Sequence, residues 1–251
     1  MAQPKILLFD IENSPILLWA WGIHDDPSHS MKFVKEDWYV MCWAAKWLNE
    51  KKMRSCALTD FKYDHRKPCD KKILEELWKL LDEADIVIAH NGKKFDCRKS
   101  NARFMVHGIT PPSPYKVVDT LTEARRHFMF TSNRLGDLGN HLGLGSKIDT
   151  GGFELWKECM KGNKKSWAKM VKYCKQDVVL LEKIYLKLQP YMSGHPNIGV
   201  IVDRAVCPTC GGNDIQYRGY TYTNACKYRR FVCKSCGAWN RDKKKVKEEN
   251  G

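Results

Sequence analysis

The first apolar run of the chain predicts a central β-strand that ends in two carboxylates. Residues 5–15 read KILLFDIENSP, and in a strand Leu8, Asp10 and Glu12 share one face. Both faces are apolar as far as Phe9, which predicts a strand covered on both sides. Two like charges at its end repel each other and are costly to bury, so we expect a cation between them. Alternatively, the strand ends at Phe9 and the two acids begin a solvated loop.

The next part of the chain predicts further strands followed by a change of period. β-branched and aromatic residues indicate three early strands joined by short connections, which favours antiparallel pairing, over residues 16–22, 38–48 and 53–59. From Asp70, which is available as an N-cap, the apolar positions recur at helical spacing.

The second half of this region alternates strand and helix, which is typical of parallel strands joined by crossovers. Strands are predicted over 85–90 and 116–119, with a helix over 95–107 between them. A long amphipathic helix follows over 166–188, and it carries Tyr173 and Asp177 on the flank of its apolar face. We therefore predict an α/β fold with a mixed sheet, whose first strands are antiparallel and whose later strands are parallel with crossover helices.

Changes in residue composition and periodicity divide the chain into a domain, a linker, a small module and a tail. We predict one α/β domain over residues 1–190 and a linker over 191–203, because residues 190–199 contain two prolines, two glycines and no periodicity. A small cysteine-bearing β module is predicted over 204–241. The charged end, 242–251, is predicted to be disordered.

Composition narrows the class of protein. The 251 residues are 43% hydrophobic and 29% charged, without an apolar run of roughly 18 residues or an export signal. These features predict a cytoplasmic protein without a membrane partner. The net charge of +14 favours a polyanionic partner such as nucleic acid, although solubility alone would also account for it.

Two later carboxylates extend the pair on the first strand. Asp96 follows the predicted 85–90 strand, and Asp177 lies on the long helix. If the 85–90 strand runs parallel to the first strand, both end at the same sheet edge, where α/β ligand sites are found. Converging carboxylates are hard oxygen ligands, and they suit Mg²⁺ or Mn²⁺ better than zinc.

Three short motifs in this order resemble a known family. They are D-I-E at residues 10–12, N-x-x-x-F-D with Asn91, Phe95 and Asp96, and Y-x-x-x-D with Tyr173 and Asp177. They resemble the three exonuclease motifs of the DEDD superfamily, in the subclass with a tyrosine in the third motif. The resemblance covers about residues 1–190, and it implies the RNase H-like fold and a 3′ to 5′ exonuclease activity.

The resemblance also implies residue roles in a hydrolysis of phosphodiester bonds with two Mg²⁺ or Mn²⁺ ions. Asp10 would bridge both ions, Glu12 and Asp177 would serve the first, and Asp96 would act on the second, largely through water. Tyr173 would orient the attacking water.

Four residues of the second motif and its surroundings are candidates for substrate contacts. Asn91 could contact the substrate, and Phe95 could wedge or pack near the terminal nucleotides or belong to the core. Lys93 and Lys94 lie between metal-site residues and could meet phosphates, although lysines on a loop are usually just solvated.

The cysteines of the C-terminal module have the spacing of a structural metal site. Cys207 and Cys210 form one C-x₂-C pair, and Cys233 and Cys236 form a second. Two such pairs favour one tetrahedral structural zinc, with Gly211 and Gly237 allowing the tight turns; a redox dithiol is the alternative for either pair. The module resembles a zinc ribbon.

Cations alternate with aromatic residues in the hairpin of this module, a pattern that binds single strands through phosphate attraction and base stacking. The candidates for nucleic-acid contacts are Arg218, Tyr220, Arg229 and Arg230. The alternatives are a solvated hairpin and a protein-binding ribbon.

We therefore expect a metal-dependent 3′ to 5′ exonuclease with a zinc ribbon that helps to hold nucleic acid, favouring single-stranded DNA with RNA as a further possibility. Small proteins of this composite kind resemble those carried by bacteriophages, which would place it in the host cytoplasm with a replication or repair protein as a further partner. Two alternatives stay open: a non-catalytic nucleic-acid-binding protein on the same fold, and an RNase H-like endonuclease or RNA exonuclease.

Overall fold

The computed structural model describes residues 4–21 and 31–246. Its strands are β1 Ile6–Asn13, β2 Leu17–Leu18, β3 Val34–Glu36, β4 Val40–Trp47, β5 Arg54–Ala57, β6 Ile86–Ala89, β7 Lys116–Asp119, β8 Ile215–Tyr222, β9 Lys227–Cys233 and β10 Trp239–Arg241. Its α-helices are α1 Lys71–Glu83, α2 Asp96–Val106, α3 Thr120–His127, α4 Leu135–His141, α5 Glu154–Met160, α6 Lys164–Leu188 and α7 Ile198–Ile201.

The main sheet has five strands in the order β5-β4-β1-β6-β7, with β1 at its centre. Strand β1 is antiparallel to β4 and parallel to β6, and β7 continues the parallel part. This arrangement confirms the predicted mixed sheet. The core is formed by β1, β4 and β6 together with the apolar faces of α1 and α6, and the side chains of Leu7, Leu8 and Phe9 are fully buried in it.

The strand predicted over 16–22 is wrong in extent. Only Leu17 and Leu18 form a strand, and they pair with β3 in a separate two-stranded sheet; Gly22 lies outside the described residues. The pairing of β1 with β4 shifts register between Glu12 and Asn13. It then ends, because Pro15 has no N–H group to donate to the neighbouring strand.

Asp70 stands at the N-cap position of α1, but its side chain makes no capping hydrogen bond. The buried carboxylate instead accepts two hydrogen bonds from Arg103, at 2.6 and 2.8 Å, and one from the backbone N–H of Val40 at 2.8 Å. A buried carboxylate needs strong donors, and this network ties α1 to α2 and to the start of β4.

The helix boundaries differ from the prediction at α5 and α6. Helix α5 was not predicted. Helix α6 begins at Lys164, two residues earlier than expected, because the side chain of Asn163 accepts hydrogen bonds from the backbone N–H groups of Lys165 and Ser166. No helix within residues 4–21 and 31–246 is long and apolar enough to cross a membrane.

The C-terminal part forms a separate three-stranded antiparallel sheet in the order β10-β9-β8. Short helix α7 lies within the segment predicted as a linker. At the start of the predicted tail, Asp242 and Val246 donate backbone hydrogen bonds to β9, and residues 247–251 lie outside the described residues.

Candidate active site

The two acids of the opening strand lie side by side at its carboxyl end. Strand β1 continues through Asn13, so Asp10 and Glu12 belong to the strand and do not begin a solvated loop. They face α6, where the Cys174 thiol lies 3.7 Å from an Asp10 carboxylate oxygen. Ligand atoms of Asp10, Glu12 and Cys174 all lie within 4.8 Å of one another.

Two other elements bring the later acids to the same place. Asp96 is the first residue of α2, and its carboxylate accepts a hydrogen bond from the backbone N–H of Ile11 at 3.3 Å. Asp177 lies on α6, one turn after Tyr173, and it is only 2% exposed. The sheet edge therefore gathers all four predicted carboxylates, which come from one strand and two helices.

Burial and mutual repulsion strongly disfavour ionisation of these groups. Burial raises the pKa of Asp10, and the charges of Asp96, Glu12 and Asp177 raise it further. Burial and the charge of Asp177 raise the pKa of Glu12 to about 8, and burial raises the pKa of Asp96 to about 7. One oxygen of Asp177 is buried and has no hydrogen-bond partner within the described part of the chain. The ionised form of such a cluster is stable only with positive charge beside it.

Lys147, in the loop between α4 and α5, supplies part of that charge. Its ammonium group donates hydrogen bonds to Asp177 at 2.5 Å and to the Tyr173 hydroxyl at 2.9 Å. Burial disfavours the charged ammonium, but the attraction and hydrogen bond of Asp177 outweigh burial and raise its pKa. The sequence does not point to this lysine, because nothing in the glycine-rich loop around it signals a site.

Comparison with known protein families shows which family this domain belongs to. A family model described as the RNase_H superfamily matches residues 38–189, more than half of the chain. The chain belongs to the RNase H superfamily. No curated protein matches the chain. Membership in the RNase H superfamily indicates a nuclease-type function that acts on nucleic acid and uses divalent metals, and the mixed sheet is consistent with its fold. The matched region contains Asp96, Tyr173 and Asp177. Asp10 and Glu12 precede it, and they lie on β1, the central strand of the sheet.

The four predicted cysteines form a second cluster. The sulfur atoms of Cys207 and Cys236 lie 3.8 Å apart, and those of Cys210 and Cys233 lie 3.7 Å apart. Tetrahedral zinc with Zn–S bonds of about 2.3 Å requires sulfur atoms about 3.8 Å apart, so the cluster fits that ion.

The backbone supports this cluster at two equivalent turns. Gly211 and Gly237 both adopt positive φ, at 77° and 79°, and their N–H groups donate to the carbonyls of Cys207 and Cys233. An N–H···S contact from Gly212 to Cys210 further supports the sulfur as a ligand. The cluster could hold one metal ion.

The predicted substrate residues of the second motif lie around the β6–α2 turn. Asn91 adopts a left-handed conformation, and the backbone N–H groups of Asn91 and Lys93 donate to the Asp119 carboxylate. Lys93 and Lys94 are exposed, and Phe95 is 40% exposed, so Phe95 does not belong to the core.

A cavity of about 660 Å³ begins at Asn91 of this turn, and three cations and one acid, Asp137, line it. It is lined by Asn91 and Lys147 and by the exposed arginines Arg125 and Arg134. His90, also in its wall, has ring nitrogens within 2.9 and 3.0 Å of Thr120 and of the Asn133 carbonyl. Burial lowers the His90 pKa to about 4, which is consistent with a structural histidine.

The four predicted contact residues of the ribbon lie on the β8–β9 hairpin, where Tyr220 and Arg229 are cross-strand partners. Arg229 lies over the ring of Tyr217 at 3.9 Å, while Lys227 covers Tyr220 at 4.1 Å. Arg230 donates to the carbonyl of Arg218 and lies beside Trp239 in a groove between the ribbon and the end of α6. Trp239, three positions after the last cysteine, also lines this groove, and it is not among the contact residues predicted from the sequence.

Proposed function

We propose that this protein is a divalent-metal-dependent 3′ to 5′ exonuclease that hydrolyses single-stranded DNA by a two-metal mechanism. The observation that carries the proposal is the convergence of Asp10, Glu12, Asp96 and Asp177 in one cluster at the edge of the sheet, where Asp96 and Asp177 are buried and the other two acids are half-buried. A protein that only binds nucleic acid gains nothing from gathering four acids that repel both one another and phosphate. The raised carboxyl pKa values and the unpartnered Asp177 oxygen fit a site built for cations.

In this proposal Asp10, Glu12, Asp96 and Asp177 hold the two Mg²⁺ or Mn²⁺ ions. When bound, the ions neutralise phosphate charge, lower the pKa of the attacking water and stabilise the leaving 3′ oxygen. The charges of Asp96, Glu12 and Asp177 all act on Asp10, so Asp10 would hold metal together with these acids. Asp96 is held by the Ile11 N–H group, which fixes the orientation of its carboxylate.

Tyr173 and Lys147 would act as a hydrogen-bonded pair next to the reacting phosphate. Burial raises the pKa of Tyr173 above its ordinary value, so the hydroxyl stays protonated at neutral pH and cannot serve as a base. Lys147 donates to the Tyr173 oxygen, and the hydroxyl also hydrogen-bonds Asp177, so Tyr173 would orient an attacking water beside the metal ligands. The ammonium of Lys147 would stabilise negative charge on the phosphate.

The ribbon has a supporting role in the proposed function. Cys207, Cys210, Cys233 and Cys236 would hold one structural Zn²⁺, which the small core of the module needs in order to fold. The exposed cations and aromatic rings of its hairpin would hold part of the strand.

The test uses single-stranded DNA and matching RNA with a 5′ label, incubated with zinc-loaded protein and Mg²⁺ or Mn²⁺. We expect a ladder of products that shorten from the 3′ end, with DNA cleaved faster than RNA. Asp10→Asn and Asp177→Asn keep the shape of each side chain and remove the charge, and both should abolish the ladder. Glu75→Gln, an exposed acid on α1, is the matched control and should cleave as the wild type does.

Other outcomes would replace the proposal. Discrete internal products would identify an endonuclease, and faster cleavage of RNA would identify an RNA exonuclease. Binding without any metal-dependent cleavage, unchanged by both substitutions, would identify a non-catalytic binding protein.

A further inference from the structure

A groove of about 450 Å³ lies where the ribbon meets the end of α6. Pro190 and Met192 form one wall, and Thr209 of the first cysteine turn and the strand residues Trp239 and Arg241 form the other. The two walls are tied together, because the Gln189 amide donates hydrogen bonds to the Thr209 carbonyl and to the Tyr185 hydroxyl. The groove is therefore a fixed part of the junction.

The chemistry of the groove is that of a nucleic-acid site. Trp239 is 52% exposed and forms part of the lining, so about half of a large aromatic side chain is accessible to a base. Arg230 also lines the groove, with its guanidinium carbon 5.2 Å from the centre of the Trp239 ring. Among the described residues neither Arg230 nor Arg241 has a carboxylate partner within 4.0 Å, and no acid lines the groove.

We propose that this groove binds single-stranded nucleic acid, with a base stacked on Trp239 and phosphates held by Arg230 and Arg241. An unpaired base supplies the flat face that fits the ring, and a strand supplies negative charge to two arginines that have no carboxylate partner among the described residues. This inference rests on the proposed function, because it makes the groove a second contact for a strand whose 3′ end lies at the carboxylates.

The position of the groove determines how long a strand must be to contact both the groove and the active site. Asp177 and Leu188 belong to the same helix, and eleven residues of helix span about 17 Å. The groove begins just beyond Leu188. At about 3.4 Å per stacked nucleotide, a strand must be longer than about five nucleotides to reach from the active site into the groove. Shorter strands contact only one of the two places.

The test measures the affinity of zinc-loaded protein for labelled oligothymidylates of three, five, eight and twelve nucleotides, by fluorescence anisotropy. Ca²⁺ replaces Mg²⁺ and Mn²⁺ so that the carboxylates are neutralised, and gel analysis shows that the strand stays intact. No chelator is present, so the ribbon keeps its zinc. We expect a step in affinity between three and eight nucleotides. Trp239→Ala should weaken binding of the twelve-nucleotide strand about ten-fold and remove the step, since stacking supplies most of the gain.

Trp21→Ala is the matched control, because Trp21 is 94% exposed and lies outside the groove. It should bind every strand as the wild type does. Arg241→Gln is a second variant that keeps the ring, and it should reduce the salt dependence of binding. Zinc content and melting temperature show whether each variant is folded.

Affinity that rises smoothly without a step, or equal losses in Trp239→Ala and Trp21→Ala, would overturn the inference. Failure of the proposed function is a separate result. A protein that shows the step but never cleaves with Mg²⁺ or Mn²⁺ keeps the groove and loses the exonuclease, and one that cleaves without a step loses only the groove.

Discussion

Replacing Glu12 with glutamine should make the zinc-loaded protein more stable when Mg²⁺ and Mn²⁺ are absent. Burial and the charge of Asp177 raise the Glu12 pKa from 4.5 to about 8. A shift of that size corresponds to an upper limit of about 5 kcal/mol for the ionised group. The neighbouring acids share this repulsion, because they take up protons themselves when Glu12 stays charged. We therefore expect Glu12→Gln to raise the free energy of unfolding by about 2 kcal/mol at pH 8.

The effect has a defined pH dependence. Between pH 4.5 and about 8 the folded protein holds a proton on Glu12 that the unfolded chain does not, so the stability of the wild type falls as pH rises. Glutamine cannot ionise, and the gain from Glu12→Gln should be complete above about pH 8 and absent below about pH 4.5. Mg²⁺ should oppose the effect, because a cation stabilises the ionised wild-type cluster more than the variant.

The assay is thermal unfolding of zinc-loaded protein across this pH range, with and without Mg²⁺. For a chain of this size, about 2 kcal/mol corresponds to a melting temperature about 4–8 °C higher. Glu75→Gln on α1 controls for the loss of one surface charge. A Glu12→Gln variant that melts at or below the wild type at pH 8, or by a difference that does not change with pH, would refute the electrostatic argument. Gained stability with lost cleavage would mark Glu12 as a functional residue.

Two further predictions concern the cations of the molecule. Lys147→Met removes the partner of buried Asp177, and since the Lys147 side chain is 34% exposed we expect a loss of about 1–2 kcal/mol, between the values for surface and buried pairs. Saturating Mg²⁺ should reduce that loss in melting experiments, and an equal loss with and without Mg²⁺ would contradict a shared role for ammonium and metal. Removal of zinc by a chelator should unfold the ribbon and leave the main sheet folded, so that limited proteolysis yields a resistant fragment near residues 1–190. A chelated protein that resists cleavage throughout residues 204–241, or purified protein without one equivalent of zinc, would contradict the structural zinc site.

Some features follow from the order of residues alone. The alternation in β1, the apolar run of β6 and the helical spacing in α1 and α6 are local signals, because a strand or helix displays its buried face at a fixed period. The two C-x₂-C pairs likewise carry their geometry with them, since each turn is built from adjacent residues. The mixed sheet and the cysteine cluster were therefore predictable from the sequence.

Tertiary structure decided what stands beside these elements. Lys147 lies thirty residues before Asp177 in a loop without periodicity, and only the packing of that loop against α6 brings its ammonium to the carboxylate. Asp70 satisfies the N-cap pattern, yet the burial of its carboxylate makes Arg103 the better partner. The groove at Trp239 exists because Gln189 joins α6 to the first cysteine turn. Long-range contacts such as these depend on which surfaces pack together, and no local period in the sequence encodes that choice.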